Sequence, residues 1–169
     1  MKHGRIYGLR YGKGFTLIEV LMVVAIIGLL SVTLFTFILP SLNRGRDGRR
    51  KADLQRISIA LEEYYNNKLS YPAAISSCGK NTEISDVLND VPCEVNTSIP
   101  YLYIAEPTGC DAEAVKCYAY RLLTDLSYDK DPDIQAKGCD IDFSGAKGCH
   151  QAGGVIYDYG FASGRPLAD

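Results

Sequence analysis

Apolar and polar residues alternate in three different ways along the chain. From Phe15 to Leu39 they hardly alternate: the run is apolar apart from Glu19 and the small or hydroxyl residues Gly28, Ser31, Thr33 and Thr36. Those 25 residues reach about 37 Å as a helix, enough to cross a bilayer core of roughly 30 Å with some tilt. From Ser41 to Lys68 the pattern turns helical and one-sided. Leu54, Ile57, Leu61 and Tyr64 recur at steps of three and four, with Ala60 and Tyr65 beside them and Lys51, Asp53, Arg56 and Glu63 opposite. Pro40, Gly45 and Gly48 weaken the helix between the two regimes, so a discontinuity is expected between Leu39 and Gly48. The stem should end near Asn66-Asn67, because Tyr71-Pro72 cannot continue it.

Beyond Pro72 the pattern is that of a small antiparallel sheet. Ile99–Ala105, Val115–Thr124 and Gly154–Tyr159 read as strands, rich in Tyr, Val, Ile and Leu. A short helix is expected at Glu83–Leu88, and Tyr128–Gln151 reads as a long exposed loop. The expected organisation is a leader at 1–14, an apolar helix at 15–39, an amphipathic stem at 40–71 and a globular head at 72–169. The fold class is α+β, a long N-terminal helix packed on a small antiparallel β-sheet head.

Composition changes this picture in two places. Only the hundred or so residues after Pro72 can build a conventional core, and domains of that size gain from staples. Six cysteines, Cys78, Cys93, Cys110, Cys117, Cys139 and Cys149, all lie beyond the apolar run. Their spacing fits neither a zinc knuckle nor a thioredoxin-type motif, so they read as three disulfides formed in an oxidising compartment, with six buried thiols as the alternative. Of the 15 pairings that six cysteines allow, joining neighbours in chain order is the simplest. The formal net charge of −2 also hides an asymmetry. Residues 41–68 carry seven Lys or Arg against four acids, whereas from Leu69 onward there are 15 acids against seven bases. A basic stem meets an acidic head. The basic part fits nucleic acid or anionic lipid, or simply a solvated helix face.

The most specific stretch is Gly14-Phe15-Thr16-Leu17-Ile18-Glu19-Val20, preceded by the basic residues Lys2, Arg5, Arg10 and Lys13 and followed by the apolar run. It resembles the class III signal of type IV pilins and the related pseudopilins. The likeness covers residues 1–72, and the stem from Arg49-Arg50-Lys51-Ala52-Asp53 to Tyr71-Pro72 is also similar to that of major pseudopilins of type II secretion systems. The resemblance implies cleavage between Gly14 and Phe15 by a prepilin peptidase, which then methylates the new amine on Phe15. It implies that Glu19 and Thr16 serve assembly, and that the subunit polymerises with itself on an inner-membrane assembly platform after residing in membrane lipid. The expected place is a single pass in the cytoplasmic (inner) membrane with the head outside, then an extracellular pilus or a periplasmic pseudopilus. Adhesion, motility, DNA uptake or a secretion stroke would be the output, with DNA or surface binding as an accessory role. Many pilins break the helix with a proline inside the apolar run; here the first one, Pro40, comes about one turn later.

Other chemistry is thin. In that family a late loop often holds calcium, and Asp129, Asp131 and Asp133 alternate here, with oxygens that suit a hard ion. An EF-hand would need glycine where Ile134 stands, so a solvated acidic loop is the expectation and no cofactor is required. His150 is the one histidine after the cleavage position and adjoins Cys149. A Cys–His nucleophile would need that thiol free, so no enzymatic activity is expected. Asn96-Thr97-Ser98 is a formal glycosylation sequon. A reading of another class is a single-pass, membrane-anchored binding protein that never polymerises.

Overall fold

The computed structural model describes residues 14–76, 78–80, 83–94 and 100–168. The leader residues 1–13, the sequon Asn96-Thr97-Ser98 and Ile99 of the first expected strand lie outside the described residues. The chain forms two compact units, Met1–Pro40 and Ser41–Asp169.

The first unit is the apolar part of a helix, α1, assigned over Leu17–Lys68. Its residues 17–35 are exposed almost throughout and have a mean hydropathy of 2.6. By length and composition this stretch is sufficient to cross a membrane. Its hydroxyls are satisfied within the helix. Ser31 Oγ donates to the Ile27 carbonyl at 2.7 Å, and Thr33 Oγ1 to the Leu30 carbonyl at 2.8 Å. Such back-bonding removes the cost of placing a hydroxyl in apolar surroundings.

The second unit opens with the stem part of α1. The stripe seen in the sequence is the one that is buried: Leu54, Ile57 and Leu61 are fully buried and Ala60 nearly so. They share one core with Ile84, Val91, Tyr120, Leu122 and Leu123. Each such side chain stabilises the docked helix by roughly 1.5–3 kcal/mol. The head is built on a three-stranded antiparallel sheet in the order β3-β4-β9, from β3 (Leu102–Glu106), β4 (Ala119–Thr124) and β9 (Tyr159–Ser163). The central strand β4 is buried at all six positions. In register, Leu122 stands opposite Tyr103 on one side and Phe161 on the other. Gly160 lets β9 lie close to β4, since a Cβ there would collide with the Leu122 carbonyl. Three small hairpins surround the sheet: β1 (Gly79–Lys80) with β2 (Asp90–Val91), β5 (Ile141–Phe143) with β6 (Ala146–Gly148), and β7 (His150–Ala152) with β8 (Val155–Tyr157). A short helix, α2 (Pro132–Ala136), is capped by Asp131, whose side chain accepts from the Asp133 amide.

The discontinuity expected between Leu39 and Gly48 is a property of subunits packed together; in the single chain the helical assignment covers Pro40, Gly45 and Gly48. A glycine inside a helix costs about 1 kcal/mol, and here Asp47, Arg50 and Lys51, beside Gly45 and Gly48, are bonded to the head, which offsets it. The stem ends at Lys68, next to the expected Asn66-Asn67. Leu69 then turns with φ 56° while its amide still bonds the Tyr65 carbonyl at 2.7 Å. That left-handed position normally falls to glycine or asparagine, and the strain is held by Tyr71, whose amide pairs with the Cys117 carbonyl at 2.9 Å. Residues 83–88 form a hydrogen-bonded turn closed by the Leu88 amide on the Ile84 carbonyl at 2.7 Å, not the expected helix. The stretch 128–151 is not a plain loop, since it holds α2, β5 and β6 and enters β7.

Candidate assembly site

The N-terminal motif forms the start of α1. Gly14, Phe15 and Thr16 precede the helix, and Thr16 acts as its cap. The Glu19 amide lies 3.4 Å from Thr16 Oγ1 and 3.1 Å from the Thr16 carbonyl, and the Val20 amide reaches that carbonyl at 3.3 Å. This is the geometry in which a threonine satisfies amides left over at a helix start. Glu19 therefore sits in the first turn, where the helix dipole favours a negative charge. Phe15, Thr16 and Glu19 are all exposed, and among the described residues none offers the Glu19 carboxylate a cation.

The stem is tied to the head by a different kind of site, a set of buried charges. Asp47 and Arg50 are only 1% and 2% exposed. Arg50 Nη1 donates to Asp47 Oδ1 at 2.7 Å and to Ser127 Oγ at 2.7 Å, and Arg50 Nε donates to Glu94 Oε2 at 2.8 Å. Asp47 also accepts the backbone amides of Ser127 at 2.9 Å and Tyr128 at 3.0 Å. Burial works against the Arg50 charge, but the Glu94 and Asp47 carboxylates outweigh it and hold its pKa above the usual guanidinium value. The next residue along the helix, Lys51, donates from Nζ to Asp131 Oδ1 at 2.7 Å and to Asp133 Oδ2 at 2.6 Å. Burial raises the Asp131 pKa, yet Lys51 and the Asp133 amide more than reverse this and leave it below the ordinary carboxylate range. The Tyr101 hydroxyl donates to Asp53 Oδ2 at 2.9 Å, and burial followed by that bond raises its pKa. At the far end of the stem the Tyr71 hydroxyl lies 3.0 Å from Glu62 Oε2 and 2.8 Å from Ser163 Oγ. The Tyr71 ring stacks on Tyr65 at 4.6 Å and meets Tyr120 edge-on at 4.7 Å.

This arrangement relocates several residues singled out in the sequence. Lys51 and Asp53, read as a solvated face, are stem-to-head ties. Asp131 and Asp133 converge on the Lys51 ammonium rather than on a common vacant centre. Asp129 is exposed, and among the described residues no three His, Cys, Asp or Glu side chains are grouped as a metal set. The cysteines are bonded as Cys78–Cys93, Cys110–Cys117 and Cys139–Cys149, with Cα separations of 4.6, 5.4 and 4.1 Å. Cys149 therefore has no free thiol to offer His150. The buried tie at Asp47 and Arg50 was not picked out in the sequence, although a signal was available. Asp47, Arg50, Leu54, Ile57 and Leu61 follow one another at steps of three and four, so the two charged residues extend the apolar stripe.

Comparison with known proteins adds one finding. Residues 9–35 match the prokaryotic N-terminal methylation motif, the class III signal of type IV pilins and pseudopilins. No curated protein and no solved structure matches the chain.

Proposed function

We propose that this chain is the structural subunit of a type IV pilus-like filament, cut between Gly14 and Phe15, methylated on Phe15 and polymerised through α1. The methylation motif marks it as a type IV pilin-like or pseudopilin precursor, anchored in a membrane before assembly. The observation that carries the filament reading is the pairing of an unpartnered apolar helix with one acid: residues 17–35 bury essentially nothing within the subunit, and Glu19 lies among them. An isolated carboxylate costs on the order of 2.5–3.5 kcal/mol at the centre of a bilayer and less towards its surface, and Glu19 lies in the first turn of the span. Cleavage creates a cationic amine at Phe15, four residues away. When a second subunit docks, that subunit's Glu19 can neutralise the amine, and two ions that are costly alone become a tolerable pair. The acid thus selects one axial register for each added subunit, while the apolar helices replace lipid around one another. The work is mechanical rather than catalytic.

Mass spectrometry of sheared surface or periplasmic filaments tests this. The expected species is a 155-residue chain beginning at N-methylated Phe15. Recovery of intact Met1 protein from membranes alone would replace the filament with a fixed anchor.

A further inference from the structure

Next to the buried tie, the stem carries two arginines that the fold leaves unused. Ser41, Leu42, Gly45, Arg46 and Arg49 form one wall of a pocket of about 300 Å³, closed on the other side by Cys93, Glu94 and Tyr101. The acids in this wall are already engaged, Glu94 with Arg50 and Asp53 with the Tyr101 hydroxyl. Arg50 is likewise spent on Asp47, Glu94 and Ser127. Arg46 and Arg49 are exposed and make no ion pair or hydrogen bond with any described residue. Three apart on a helix, they are neighbours on one face. Gly45 leaves open space beside them, and Leu42, 53% exposed, gives the pocket an apolar lip on its N-terminal side.

We propose that this pocket holds the phosphate of an anionic phospholipid in the leaflet on the head's side, with Arg46 and Arg49 as the ligands and Leu42 against the glycerol and first acyl carbons. The assignment rests on the membrane-anchored reading above. Three features favour a lipid. Arg46 follows Phe35, the end of the apolar span, by only eleven residues, so the tether alone keeps the guanidinium near the bilayer surface whatever angle the units adopt. Side chains on a helix lean towards its N-terminus, which here is the membrane end. The apolar lip and the charged floor match an amphiphile, whereas a duplex nucleic acid would need an extended basic row rather than two arginines at one half-open pocket. Guanidinium is the group suited to forked contacts with phosphate oxygens.

The full-length chain in mild non-ionic detergent, examined by native mass spectrometry with added phosphatidylglycerol or phosphatidylcholine, tests the site. Wild type should retain phosphatidylglycerol roughly thirtyfold more strongly than phosphatidylcholine, the factor for two basic residues that each contribute about one kilocalorie per mole near an anionic surface. The double variant Arg46→Gln/Arg49→Gln should lose that preference with an unchanged melting temperature, because both side chains are solvent-exposed. Arg46→Lys/Arg49→Lys should restore most of it, and the remote Lys137→Gln should leave it untouched. Equal retention of the two lipids by wild type, or a preference that survives in the double glutamine variant, would overturn the proposal. Inorganic phosphate binding as well as the lipid would reassign the pocket to a free anion. Loss of filaments in the double variant without any lipid preference in wild type would reassign the arginines to a neighbouring subunit's carboxylates. Filaments lacking N-methylated Phe15 would sink the polymer reading while leaving the lipid preference standing.

Discussion

The two parts of α1 have the same backbone and opposite fates. In residues 17–35 nearly every apolar side chain is exposed, Leu29 at 73%. From Asp47 to Leu61 the apolar and charged members of one stripe are buried against the head, Leu61 at 0% exposure. Among the described residues the first part has no partner, which leaves lipid or other copies to cover it. The second has its partner built in. One helix thus separates what the subunit does alone from what it does only in company, and a substitution should act on folding or on assembly according to which part it falls in.

The largest effect expected is at the first part. Glu19→Ala should leave cleavage intact and lower the yield of sheared filaments at least about tenfold, since the charge left unpaired lies near the end of the span, where it costs less than the roughly 3 kcal/mol of the bilayer centre. Normal filament yield from this variant would remove the pairing mechanism. Next comes the buried tie. Arg50→Ala strands the Asp47 and Glu94 carboxylates in the interior and should cost about 3–5 kcal/mol in denaturant unfolding of the head. A matched pair sharpens the contrast directly. Leu61→Ala should cost about 2–5 kcal/mol, whereas Leu29→Ala should leave the unfolding curve of the isolated subunit in place and alter only filament yield. If both destabilise the head alike, the division fails.

The smallest effect is on pH dependence. Asp158 is buried, accepts the Leu126 amide at 2.9 Å, and is pushed up to about 7 by burial, with Asp125 and Asp47 adding to the push beyond what the Leu126 bond relieves. The folded state therefore holds a proton that the unfolded chain, with an ordinary carboxylate near 4, has released. This contribution is fully present below about pH 4 and is lost as pH rises through 7. The stability difference between wild type and Asp158→Asn should shift against wild type across that interval. A difference constant with pH would show that Asp158 is ionised throughout.

What could be read in the sequence depended on the range of the interaction. The apolar run, the stem stripe and the cysteines declare themselves by composition or local period, and the motif at Gly14–Glu19 by its order of residue types. The ties of Lys51 to Asp131 and of Asp47 to Ser127 both span 80 positions, and nothing near either end announces the other. Asp47 and Arg50 were obscured because charged residues on an apolar stripe look like its end rather than its continuation. The strand expected at Gly154–Tyr159 takes in β8 but only the first residue of β9, because Gly160 and Ser163 have little intrinsic preference for strands. The β9 glycine is present because β4 comes too close for anything larger. The helical assignment through Gly45 and Gly48 runs against local propensity, which the tertiary ties at Asp47, Arg50 and Lys51 override.

The three disulfides close loops of 15, 7 and 10 residues, and none reaches back to α1. They can stiffen the head, but they carry no tension between head and helix. In the proposed filament, a pulling load entering through α1 would pass to the head across the Leu54–Leu61 stripe, the Arg50 and Lys51 ion pairs and the single stretch of chain after Lys68. The covalent staples would stay slack until those contacts had yielded, so the joint between helix and head is non-covalent except for that one stretch of chain.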